Sequence, residues 1–173
     1  LEALSTRPLL GVGIATPGVV RPDGSVHRAP NLGWTTHPLE ARLRAELDLP
    51  VMVRNDANAA VLGEYTFGTS APDLMLVRIG RGVGAGLITG GEPLLGSRYA
   101  AGEIGHVVVG TDAGPLCACG RHGCLEAWVN APRLEELILA DPAAASATLG
   151  DAGARLAIGI APIVAALDLS EVV

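Results

Sequence analysis

At 173 residues, 49% of them apolar, the chain is long and greasy enough to build one ordinary domain or two small lobes, which excludes disorder as a description of the whole. Its net charge of −6 and pI near 5.1, with 12 basic residues that are all arginine and singly scattered, exclude a nucleic-acid surface here, because phosphate binding needs clustered Lys and Arg. Aromatics are only 3%, so the core must be Val, Leu, Ile and Ala, and 23 glycines with 12 prolines point to many tight turns and to loops where backbone approaches a ligand.

The apolar, β-branched run closed by Pro17-Gly18 predicts a buried strand over Leu9–Ala15. RPDGSVHRAPNLGW reads as turns, with Asp23-Gly24 suited to a tight one and Pro30-Asn31 opening another loop; His27 and His37, in such segments, are expected to be solvated. Leu39, Leu43 and Leu47 recur at helical spacing, VMVRND is a short strand, and NAAVLGEYTFG is a helix running into Gly68. DLMLVRIG and GVGAGLITGG alternate like a hairpin, and GEPLLGSRYAAGEIGHVVVG continues in strands and loops. CLEAWVNAPRLEELI has one helical pattern, and the tail starts as a buried helix and ends on the beginning of a strand. Strands alternating with helices argue an α/β fold, with no internal repeat and no linker between independent domains. No apolar run reaches the roughly 20 residues of a membrane helix, no signal peptide is recognisable, and the missing initiator Met leads us to expect a fragment or a chain that has lost its ends.

Three cysteines fall within eight residues, whereas a disulfide framework would be even and dispersed. The clustering reads as metal binding in a reducing compartment, so a cytoplasmic chain is expected. Ten residues separate His106 from Cys117, one separates Cys117 from Cys119, and four separate Cys119 from Cys124. Cys3His is a common tetrahedral zinc set, and Gly120 and Gly123 let the loop fold back far enough for three sulfurs to reach one ion. The expected ligands are His106, Cys117, Cys119 and Cys124; His122 competes with His106 from inside the loop. A disulfide across a single intervening residue would be strained and would leave one thiol over.

The segment GHVVVGTDAGPLCACGRHGCLE resembles the signature of the ROK family of repressors, open reading frames and sugar kinases: Gly-His, then Cys-x-Cys-Gly-x-x-Gly-Cys-x-Glu. ATPG at 15–18, APNLGW at 29–34, NDANAA at 55–60 and AGEIGH at 101–106 extend the resemblance over nearly the whole chain. It implies an actin-like, ribonuclease-H-like fold of two α/β lobes with a sugar between them. Residues 1–68 would be part of the first lobe and 69–173 part of the second, both incomplete. Asp56 would match the kinase general base, and Asn31, Asn55, Glu103, His106 and Glu126 the sugar contacts. Gly18 would let backbone approach the sugar ring, and the zinc-bound His106 would turn its second nitrogen toward the sugar. The chemistry is sensible by itself, since carboxylates and amides take paired hydroxyls and an Asp at a strand end can serve as base. Asp56 also precedes a helix and can act as an N-cap; Glu126 can equally be a first-turn Glu that favours the helix dipole.

Kinases of the family usually carry Gly-Thr-Gly at the second phosphate loop, where this chain has Gly80, Arg81, Gly82 and Gly84. The family's first phosphate hairpin and its adenosine-binding glycines are not within these residues. Two functions remain. The first, which the departure from Thr favours, is the sugar-sensing domain of a transcriptional regulator whose DNA-binding module lies outside this chain. The second is a glucokinase-type sugar kinase, taking a hexose or N-acetylhexosamine with ATP and Mg. The family implies a homodimer or homotetramer.

Overall fold

The computed structural model describes residues 8–29, 32–110 and 112–173. Its elements are β1 (Val12–Thr16), β2 (Val19–Val20), β3 (Val26–Ala29), β4 (Trp34–His37), α1 (Leu39–Leu47), β5 (Val51–Asn55), α2 (Asp56–Phe67), β6 (Leu74–Ile79), β7 (Val83–Thr89), β8 (Glu92–Pro93), α3 (Leu125–Val129), α4 (Ala131–Ala140), α5 (Ala145–Leu167) and β9 (Glu171–Val172), with short 3₁₀ turns at Ile104–His106 and Pro142–Ala144. The chain is mixed α/β, as alternation of the two element types predicts.

Three sheets form. β1 and β5 pair in parallel, with Thr16 opposite Asn55, and this register brings the ends of both strands to one point. The strand read as Leu9–Ala15 lies slightly later, at Val12–Thr16. β2, β3 and β4 make an antiparallel sheet that spans the segment read as turns, with β3 inside it and β2 and β4 at its two ends. The Asp23-Gly24 turn is where expected, with the Gly24 N–H bonded to the Arg21 carbonyl, but it joins two strands. His37 correspondingly stacks on Trp34, ring centroids 4.6 Å apart, while His27 is exposed. The third sheet runs β8-β7-β6-β9, and β9 joins parallel to β6.

Val26, Ala29, Val51 and Val53 bury one core, against which Leu39, Leu43 and Leu47 of α1 pack. A second gathers Met75, Val83, Ala85, Leu87, Ile104, Val109, Leu125 and Val129. Helix α2 lies between these regions and meets β1 and β5 as well as β6 and β7. It sits tightly on β7 at Gly86, where a Cβ would strike the Ala57 carbonyl and Val61.

Two helical readings need correction. The single helix expected from Cys124 onward is broken at Asn130 into α3 and α4, because the Asn130 carboxamide caps the second helix on the Arg133 N–H and Pro132 occupies its first turn. The tail helix α5 is 23 residues long but buries only Ala152 and Gly159 fully; its Ala- and Gly-rich surface packs along one face, where Leu156, Ile160, Ile163 and Val164 meet the second core. Pro142–Leu167 is also long and apolar enough, by length and composition alone, to count as a weak candidate for crossing a membrane, though charged residues interrupt its apolar run. Asp151 and Arg155 on it are ion-paired, and Arg155 holds the Asp112 carboxylate at 3.1 and 3.2 Å. That guanidinium keeps the Asp112 carboxyl below its ordinary range.

Candidate functional site

The loop from Val107 to Cys124 closes on itself by short backbone bonds. The Cys117 N–H donates to the Arg121 carbonyl at 2.8 Å, Gly120 to Cys117 at 2.9 Å, and Gly123 to Pro115 at 3.0 Å. Gly120 and Gly123 take φ of 88° and 75°, a left-handed backbone that residues with a Cβ rarely adopt. The loop gathers the Nδ1 or Nε2 of His106 and the sulfurs of Cys117, Cys119 and Cys124 so that all four ligand atoms lie within 4.8 Å of one another. The Cys119 and Cys124 sulfurs are 3.6 Å apart, and the Cys117 sulfur is 3.7 Å from His106 Nδ1. Tetrahedral zinc bonds of ~2.3 Å to sulfur put neighbouring ligand atoms about 3.7 Å apart, so the two closest pairs already match a zinc site and the donor set suits that metal. His122 is exposed and faces the Gly114 carbonyl at 3.1 Å, outside the cluster.

The three thiols are free and unlike one another. The Arg121 backbone N–H and side chain draw Cys119 down to about 6. Burial, with the neighbouring thiols, pushes Cys124 up to about 12, and burial likewise raises Cys117. A bound cation takes the place of the protons that the two buried thiols would otherwise keep.

Glu103 follows Gly102, which has φ 87° and lies so close to β7 that a Cβ would run into the Ala85 carbonyl; the Gly102 carbonyl accepts from the Ala85 N–H at 2.8 Å. The following 3₁₀ turn carries His106 to the metal loop. The Glu103 side chain is open to solvent on one side, yet surrounding protein pushes its carboxyl above the ordinary range; His106 opposes that rise, while the Glu126 and Asp56 carboxylates add to it. The Glu103 carboxyl thus senses charge from its own turn and from two other chain segments.

At the end of β5, Asn55 is the N-cap of α2, accepting at Oδ1 from the Ala57 and Asn58 N–H groups at 3.0 Å each. The cap is therefore Asn55, and Asp56 is the first helical residue. The Asn55 Nδ2 donates to the Gly18 carbonyl at 2.9 Å. Gly18, φ 91°, lies against the backbone of Arg28 and Ala29, with no room for a side chain. Asp56 accepts from the Ala57 N–H at Oδ1 and forms an ion pair with Arg78 of β6 at Oδ2. Arg78 is a site residue that sequence reasoning missed; the signal was a lone Arg in an apolar strand two residues before the glycine loop.

Gly80, Arg81 and Gly82 connect β6 to β7, closed by a 2.9 Å bond from the Gly80 N–H to the Gly82 carbonyl, with Arg81 exposed and Gly84 opposite Arg78. Glu126 accepts from the Val83 N–H at 3.0 Å and from the Cys117 thiol at 3.9 Å. Asn31, also expected to contact the sugar, lies outside the described residues.

The ROK family profile matches residues 2–173. A glucokinase of Halalkalibacterium halodurans is 42% identical over 130 residues, which cover 73% of this chain and 39% of the relative. A putative xylose repressor of Caldicellulosiruptor sp. is 39% identical over 145 residues, 79% of this chain and 36% of the relative. The chain thus spans well under half the length of these curated relatives. Among solved structures, a ROK family glucokinase from Streptomyces griseus in complex with glucose and AMPPNP superposes with a TM-score of 0.79 at 29% identity, over 96% of this chain and 65% of that one. A ROK family transcriptional regulator, a homologue of the E. coli MLC protein, gives 0.81 at 23% identity over 94% and 48%, a likeness of fold alone. The actin-like, sugar-kinase fold expected from the sequence is thereby borne out. Family profile, relatives and fold agree, and the chain belongs to the ROK family.

Proposed function

We propose that the chain is the sugar-sensing domain of a ROK-family transcriptional regulator, working in the cytoplasm as a homodimer or homotetramer. Its DNA contacts belong to a module outside these residues. Residues 1–68 and 69–173 contribute to two lobes, and the sugar lies between them against Asn31, Asn55, Asp56, Glu103, His106 and Glu126. His106, Cys117, Cys119 and Cys124 hold zinc, which supplies a structural crosslink and fixes the orientation of the His106 ring.

The observation that carries the sensor reading is the Arg78–Asp56 ion pair. A general base needs a free oxygen within reach of the hydroxyl it deprotonates. Here one oxygen of Asp56 faces a guanidinium and the other a backbone N–H, so the carboxylate is held as a fixed, charge-paired group rather than as a base with an unengaged oxygen. Arg81 at the tip of the β6–β7 connection, in place of the usual Thr, points the same way. One finding favours the kinase reading: the glucokinase of Halalkalibacterium halodurans is similar over most of this chain. On that reading Asp56 would be the base for the sugar hydroxyl, and Gly80, Gly82 and Gly84 would face the phosphate that ATP supplies.

The sugar contact is tested by titration calorimetry with a panel of hexoses and N-acetylhexosamines. Glu103→Ala should weaken the tightest of them by roughly 1–3 kcal/mol through loss of one charged hydrogen-bonding group, with zinc content unchanged. Undiminished affinity in Glu103→Ala contradicts the placement.

A further inference from the structure

Besides its expected sugar contact, Glu126 makes two contacts that lead in opposite directions. One carboxylate oxygen takes the Val83 N–H at 3.0 Å, at the exit of the Gly80-Arg81-Gly82 connection, and the other meets the Cys117 sulfur at 3.9 Å. The entrance of the same connection is held from the same side, since the Gly80 carbonyl accepts from the Ala131 N–H at 2.8 Å. Glu126 and Ala131 flank Asn130, whose Nδ2 donates to the Glu126 carbonyl at 2.7 Å and whose Oδ1 caps α4. The elbow is in turn rooted in the metal loop, because Cys124 is the residue from which the single-turn helix α3 starts, and Leu125 behind it is fully buried. Beyond its own Gly80–Gly82 bond and the β6–β7 ladder, these two outside bonds tie the glycine connection to the α3–α4 elbow.

We propose that Glu126 is a positioning residue that couples the cysteine–histidine cluster to the Gly80–Val83 connection, so that a metal in the loop orders the backbone facing any anionic or hydroxyl-bearing ligand there. The proposal rests on the metal reading of the cluster and is indifferent to the choice between sensor and kinase. A metal on Cys124 fixes the start of the helix that carries Glu126, and the Val83 N–H is the next atom along; a metal-bound Cys117 is a thiolate with no proton to give the carboxylate, so the link runs through α3.

The test is amide hydrogen exchange at Val83 in the full chain, with zinc and after chelation, alongside elemental analysis of each sample. Zinc should slow exchange at Val83 about tenfold, the scale of one hydrogen bond gained or lost. Glu126→Ala and Glu126→Asp, the second keeping the charge on a shorter arm, should bind zinc but lose that response. Glu126→Gln, which keeps a carbonyl oxygen at the same reach, should retain most of it. Zinc bound with Val83 unmoved in the wild-type chain, or an undiminished response in either the Ala or the Asp variant, overturns the coupling alone. A chain that takes up no zinc overturns the coupling together with the metal reading.

Discussion

Elemental analysis of chelator-free protein should return about one zinc per chain, and Cys119→Ser should lose both the metal and the fold of the loop it closes. The reason is one of scale. Structural zinc sites contribute on the order of 10 kcal/mol in small domains, comparable with the whole net stability of a typical one. The loop has little else to hold it: between Val107 and Cys124 its described side chains are mostly exposed, with Leu116 at 65%, and besides Val109, which joins the second core, its buried side chains are Cys117 and Cys124 themselves, packed with Ala127. Arg155 clamps one side through Asp112, but the acid partner is 52% exposed and the pair is screened by solvent. Loss of the loop would also free α3, taking Leu125 and Val129 from the second core. A metal loop that stays ordered without metal, or a full-occupancy disulfide among the three cysteines, contradicts this expectation.

The second large effect is expected at Gly102, where Ala should destabilise the chain by about 3 kcal/mol or more, a fall of roughly 6–12 °C in thermal midpoint for a chain of this size. Two costs combine. A residue with a Cβ at φ 87° is strained by about 1–2 kcal/mol, and the added methyl would collide with the Ala85 carbonyl, forcing Gly102 away from the β7 backbone that it bonds. Gly90→Ala is the control: it has a positive φ of 57° but open space where the Cβ would go, so it should lose only the conformational part. Equal midpoints for the two variants would show that close packing at Gly102 contributes nothing. Sugar affinity should fall in Gly102→Ala as well, since Glu103 is the next residue.

Some of this was legible in the sequence because the residue types admit few alternatives. Three thiols and an imidazole at those spacings, with glycines at the returns, describe a metal loop before any coordinates, and β6 and β7 follow from alternation on either side of a glycine run. The antiparallel sheet of β2, β3 and β4 was hidden, because four-residue strands such as Val-His-Arg-Ala, buried only at their ends, show no alternation among Pro22, Asp23, Gly24 and Gly33. The break at Asn130 was present as an Asn followed by Pro132, a start signal masked by apolar periodicity continuing across it. What no local pattern could give was the partner of Asp56. Arg78 lies 22 residues away on another sheet, and only the packing of α2 between the sheets brings the two together. The division of labour at Asn55, whose carboxamide caps α2 and ties down Gly18, is likewise a product of the β1–β5 register.

The sensor reading is tested most directly by assaying full-length protein with ATP, magnesium and the tightest-binding sugar while sugar-dependent release from its operator DNA is followed in parallel. The account predicts sugar-dependent release with no phosphorylated sugar formed, unchanged by Arg81→Ala because the glycine connection carries no phosphate. Turnover near the 1–100 per second usual for kinases, abolished by Asp56→Asn, would contradict it.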